Sequence, residues 1–115
     1  MGQADFHHGE YRTMDYTPGS AVTAGDVIVV GDVPAIAHVD IAANKQDALG
    51  IGGGVYVCVG DATIAAGKKV YWDDGNDKVT ETAASNTFFG FTLEAIAADL
   101  STGQVYHSPD ATLGV

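Results

Sequence analysis

The residues of this chain whose types and spacing could do chemistry are few, and each fails a requirement of the chemistry it suggests. The run GIGGGVYV (50–57) invites a phosphate-loop reading. A dinucleotide fingerprint needs glycine at its first, third and sixth positions and a helix N-terminus behind them, so that backbone N–H groups meet the anion. Counted from Gly50, the third position is Gly52 but the sixth is Val55, and a strand signal stands where the helix should start. The run is read as a flexible turn feeding the next strand. DDGND (73–77) gathers carboxylates as a calcium loop does, yet Gly75 interrupts the alternation that such a loop requires, between two β-like segments. A hairpin turn is the better reading. His7, His8 and Glu10 are metal-ligating types, but adjacent histidines on an irregular segment do not easily share one ion, and no second His or Cys cluster completes a set. His38 and His107 stand singly beside strands, as packed or surface histidines do. Cys58 lies mid-strand between Val57 and Val59, the setting of a buried small hydrophobe rather than of a thiolate, which wants a cationic, partly exposed site. Ser20, Ser85, Ser101 and Ser108 fall in turns without a nucleophile-elbow pattern. With no acid, base and nucleophile set, the chain is expected to be no enzyme and to hold no cofactor or metal.

The elements that would position any site are strands. VIVV (27–30), VYVCV (55–59), VYW (70–72), KVTET (78–82), FFGFTL (88–93) and QVYH (104–107) are rich in β-branched and aromatic residues and are fenced by Gly, Asp, Asn, Ser or Pro. Two Ala-rich stretches ending at glycine, 40–50 and 94–103, are at most two or three turns long and are read as loops with one helical turn at most. The pattern predicts an all-β domain.

Within that domain one phrase is written twice. AVTAGDVIVVGD (21–32) returns as TIAAGKKVYWDD (63–74): Val22 matches Ile64, Ala24-Gly25 matches Ala66-Gly67, Ile28 matches Val70, Val30 matches Trp72 and Asp32 matches Asp74. The segments behind the two phrases also echo each other, since 35–59 and 90–108 each set a short strand, an Ala-rich connection and a further strand. A glycine at the corner lets the chain turn sharply where a side chain would clash. Two similar half-units, each a bent ribbon, predict a small, partly open barrel completed by pseudo-symmetric pairing. Residues 1–16 lack sustained alternation and precede a Pro-Gly turn signal. They are read as an extended N-terminal arm, with 17–115 as the single β domain.

Totals bound the function. A chain of 115 residues is one domain, and it buries only about 60–70% of the surface that its unfolded form exposes. Its 46% apolar fraction leans on Val and Ala beside 15 glycines, so the core is lean and assembly with neighbours would help it. Fifteen Asp and Glu against five Lys and Arg give a net charge of −10, the wrong sign for nucleic acid or anionic membranes. One cysteine precludes an internal disulfide, and the start MGQADFHHGEY has neither a basic leader nor an apolar run. A soluble protein made in a reducing cytoplasm is expected.

Taken in order, DYTPGSAVTAGDVIVVGD (15–32), GGVYVCVGDATIAAGKKVYWDD (53–74) and KVTETAASNTFFGFTLEAIA (78–97) resemble the small cement, or head-decoration, proteins of tailed bacteriophages. The likeness spans residues 15–107, with AGDVIVVGD and VYWDD its most specific blocks. It implies a β-clip-like domain that binds the outer surface of a phage head between major capsid proteins and stabilises it, so the expected location is the outside of the virion. The expected partners are the major capsid protein and neighbouring copies of itself, as a homotrimer on the capsid. The alternative is a small β-barrel binding a carbohydrate or other small ligand on a virion or cell surface.

Candidate interface residues are assigned from type. Phe6, Tyr11, Arg12, Met14 and Tyr16 put aromatic anchors and a cation on the arm, the residue types favoured at interface hot spots. The arm is therefore expected to leave its own domain and lie across a neighbouring subunit or the shell; the alternative is that it adds an edge strand to its own barrel. In VYVCV, Val55, Val57 and Val59 share one pleat face and Tyr56 and Cys58 the other. One face should pack the core while the other meets a neighbour, and Tyr56 is the residue assigned to that contact.

Overall fold

The computed structural model of the chain describes the backbone of residues 4–109 and the side chains from Arg12 to Pro109. The described residues form eight strands: β1 (Ala4–Tyr16), β2 (Val27–Val30), β3 (Val33–Ala37), β4 (Asp47–Val59), β5 (Lys69–Asp73), β6 (Lys78–Thr80), β7 (Thr87–Thr92) and β8 (Thr102–His107). These make one curled, open half-barrel sheet in the order β2-β3-β4-β8-β7-β5-β6, with β1 paired to β4 and every strand pair antiparallel. There is no helix among the described residues, and the two Ala-rich stretches are irregular segments with one isolated bridge each, at Ile41 and Ile96, that run into β4 and β8.

The repeated phrase is a repeated structure. Gly25 (φ 89°) and Gly67 (φ 78°) both take the left-handed conformation that glycine adopts without a Cβ clash. The Gly25 N–H donates to Ala37 O at 2.7 Å, and the Gly67 N–H donates to Thr92 O at 2.8 Å. Val22 and Ile41 exchange two backbone hydrogen bonds, as do Ile64 and Ile96. Val27 opposes Ile36 and Ile28 opposes Ala35. Lys69 opposes Phe91 and Val70 opposes Gly90 in the same relation. The halves differ at the hairpin: the tight Gly31-Asp32 turn between β2 and β3 is replaced between β5 and β7 by an excursion that carries β6. Its DDGND segment is the β5–β6 turn, where Asp73 accepts from the backbone and side chain of Asn76.

β4 joins the halves. Its Leu49 and Gly50 pair with β3, whereas Val55–Val59 pair with β8. The strand changes partner across the glycine run, where Gly53 has φ 87°. The run is therefore the bend inside one long strand, not the turn expected before it. Glycine serves here because the left-handed backbone of Gly53 is one that L side chains rarely adopt.

The arm is the other difference. Instead of leaving the domain, β1 pairs with β4 of its own chain, from Ala4 opposite Cys58 to Tyr16 opposite Asp47. The half-units give the reason. In the second, β8 is flanked by β7 and by the end of β4. In the first, the start of β4 has β3 on one side, and β1 fills the equivalent place on the other. Without it the long edge of β4 would expose a row of unpaired backbone groups.

Two apolar clusters result. The main one holds Val27, Ile36, Tyr56, Cys58, Ile64, Val70, Trp72, Val79, Phe89, Ile96 and Val105. The smaller one, on the opposite face of the β2–β3 hairpin, centres on Ala35, Ala37, Ile41 and Leu49.

Candidate docking surface

His38, His107 and Cys58, which sequence singled out, are spent on structure. Tyr56 is fully buried, with its hydroxyl 2.7 Å from His38 Nε2 and its ring edge-on to His107 at 5.5 Å between centroids. His107, also fully buried, donates from Nε2 to Pro34 O at 2.7 Å, so a β8 side chain in the second half-unit is bonded to β3 in the first. Burial holds the His38 pKa below its usual 6.5, because the imidazolium loses hydration. Cys58 is buried in the main cluster. Among the described residues no three His, Cys, Asp or Glu side chains gather as a metal site would require. The side chains of His7, His8 and Glu10 lie outside the described residues.

Tyr56 is thus not at the surface, which corrects its assignment to an interface. Pleat parity separated it from Val57 correctly, but it is the Tyr56 and Cys58 face that turns inward, and Val57 and Val59 are the half-buried, outward members of β4. Of the arm residues, Arg12 is exposed and Met14 and Tyr16 are half-buried against the smaller cluster. The side chains of Phe6 and Tyr11 lie outside the described residues.

Among the described residues two uncovered apolar surfaces remain. The first is the outer face of β5, β7 and β8. Register puts Tyr71 opposite Phe88, and Phe91 between Lys69 and Tyr106. Their rings meet at centroid distances of 5.6 Å (Tyr71–Phe88) and 5.3 Å (Phe91–Tyr106), and Phe91 is 38% exposed. The paired rings are inclined to each other by 70° and 46°. The second surface is the face of the β2–β3 hairpin over the smaller cluster, where Met14, Tyr16, Ile28, Val30 and Ile51 are only partly buried. Sequence reasoning missed the first although its signal was present: VYW, FFGFTL and QVYH carry apolar or aromatic residues at both parities, so both faces of those strands are largely apolar. A third feature is the outer edge of β1, thirteen residues long, with β4 its one strand partner among the described residues.

Such surfaces offer area for docking. A family model described as phage cement protein matches residues 6–107. The fold is similar to that of the head fiber gp8.5 N base of bacteriophage phi29, with a TM-score of 0.52 at 13% identity, over 87% of this chain and 96% of that one. No curated protein matches in sequence.

Proposed function

Because this chain belongs to the phage cement protein family, we propose that it acts as structural capsid cement, binding the outer surface of a phage head between major capsid proteins and stabilising the shell against heat and osmotic shock. The family's structural role and the absence of a catalytic set among the described residues make an enzymatic role the weaker reading. The observation that carries the docking proposal is the open edge of β1, along which Phe6, Tyr11 and Arg12 lie. An edge strand offers unpaired N–H and C=O groups to an extended segment of a partner, and its side chains then set specificity. Many such contacts repeated over a lattice act together, so modest single affinities give a tight coat. The net charge of −10 suits an exterior position, where copies repel one another except at their specific contacts. Synthesis in the host cytoplasm, with its single cysteine reduced, completes the reading.

Purified shells lacking the protein provide the test. Adding it should give saturable co-sedimentation and raise the shell melting temperature, and a variant with Arg12→Glu and Tyr11→Asp should fold but sediment poorly. Shells that bind none of the wild-type protein, or that bind it and melt unchanged, would refute the role.

A further inference from the structure

We infer that the two uncovered apolar surfaces are the two halves of one interface, and that copies of this chain join head to tail by placing the outer β5–β7–β8 face of one on the β2–β3 cluster face of the next. The inference rests on the cement reading only in that neighbouring copies are taken as partners.

The internal repeat supplies the reason. Inside one chain, the outer face of the first half-unit, formed by Val27, Val29 and Ile36, packs on the inner face of the second, formed by Ile64, Val70, Trp72 and Ile96. The repeat maps Val27, Val29 and Ile36 onto Lys69, Tyr71 and Phe91, and these make up much of the aromatic face that nothing among the described residues covers. It also maps Val22, Ile28, Val30 and Ile41 onto Ile64, Val70, Trp72 and Ile96. Those first-half residues line the smaller cluster, whose members Met14, Tyr16, Ile28, Val30 and Ile51 stay partly exposed. Each half-unit therefore has an outer and an inner face, and the chain uses one of each internally. One of each is left over, and the mode by which they fit is already realised once in the molecule.

Charge agrees with this pairing. Lys69 lies on the aromatic face, opposite Phe91 in register, in a chain whose net charge is −10. On the other face Asp47 lies opposite Tyr16 and is exposed. Contact between unlike faces can set Lys69 against Asp47, one opposite-charge pair across the interface. Unlike faces in contact make a heterologous interface, which closes into a ring or continues as a chain of subunits according to its rotation.

The test is complementation between blocked faces, read by sedimentation velocity and light scattering on the full-length protein. The wild type should self-associate. Phe91→Asp and Val30→Asp should each raise the apparent dissociation constant about thirtyfold or more, as loss of an interface anchor does. Leu100→Asp, on a loop residue 68% exposed and outside both faces, should leave it unchanged. Mixing F91D with V30D leaves one intact outer face and one intact inner face, so a 1:1 dimer should form although neither variant associates alone. If V30D fails to fold by circular dichroism, Tyr16→Asp blocks the same face. A monomeric wild type, an F91D protein that still associates, or a mixture that stays monomeric would overturn the proposal. Monomeric F91D that still sediments with shells would leave the cement reading standing, whereas an associating protein that ignores shells would refute that reading and not this one.

Discussion

Gly90→Ala tests whether β7 and β8 approach as closely as the fold requires. Gly90 lies opposite His107, and a Cβ built on it would overlap the main-chain carbonyl oxygen of Tyr106, with that carbonyl's carbon 2.9 Å away and Ser108 N at 3.1 Å. All three obstacles are backbone, so no rotamer change relieves them. The strands must part, and Phe89, Val105 and His107, all fully buried, ride on those strands. Overpacking a close-packed interior costs about 1–3 kcal/mol, and a backbone-on-backbone overlap belongs at the upper end. At roughly 4 °C per kcal/mol for a chain of 115 residues, G90A should lower the melting temperature by about 12 °C. Two other glycines calibrate the effect. Gly31 has φ +63° with open space around it, so Gly31→Ala carries only left-handed strain of about 1–2 kcal/mol. Gly19 has neither neighbour within 4 Å nor positive φ, and Gly19→Ala should be nearly silent. Thermal unfolding followed by circular dichroism ranks the three. If G90A unfolds no earlier than G31A, the close approach is wrong and the register of the second half-unit with it.

Three further outcomes are expected from the geometry. A truncation starting at Thr17 removes β1 and bares the edge of β4, so it should melt well below the full chain, whereas an arm that merely docks elsewhere would leave the melting temperature unchanged. His38 has a folded pKa lowered by burial, so its contribution is present above the unfolded value of 6.5 and is lost as pH falls below it through the folded pKa. Stability should therefore drop on acidification from neutral pH, and Tyr56→Phe, which removes the 2.7 Å partner of His38, should cost about 1 kcal/mol at neutral pH, both read by denaturant titration. Cys58→Ser places a hydroxyl in the main cluster and should destabilise by about 1–3 kcal/mol, while the native thiol should react with a disulfide reagent only on unfolding.

The sequence made some of this architecture legible for identifiable reasons. VIVV is β2 to the residue, because its apolar run is closed on both sides by turn residues. The echo of AVTAGDVIVVGD in TIAAGKKVYWDD corresponds to matching left-handed glycines and matching bridges, since a backbone that must reach φ > 0 at one corner selects glycine each time. β1 was legible only as the alternative to a docking arm, an edge strand added to its own barrel. Its ladder shifts register between Phe6 and His8, between Gly9 and Arg12, and between Arg12 and Thr13, so the period-2 alternation that marks a strand cannot build up. The glycine run of β4 reads as a turn for a related reason: glycine weakens strands generally, and only the change of pairing partner explains its place inside one. Tyr56 shows a third limit. Alternation separates two faces of VYVCV, but both are apolar, and which one turns inward is decided by the partners that the rest of the chain brings, here His38 and His107.

That this protein coats the outside of a phage head is tested most directly by cryo-electron microscopy of shells incubated with it. Density for the β domain is expected on the outer surface, seated where major capsid proteins meet, with the β1 edge against the shell. Density on the inner surface, or shells bare at saturating protein, would contradict the cement role.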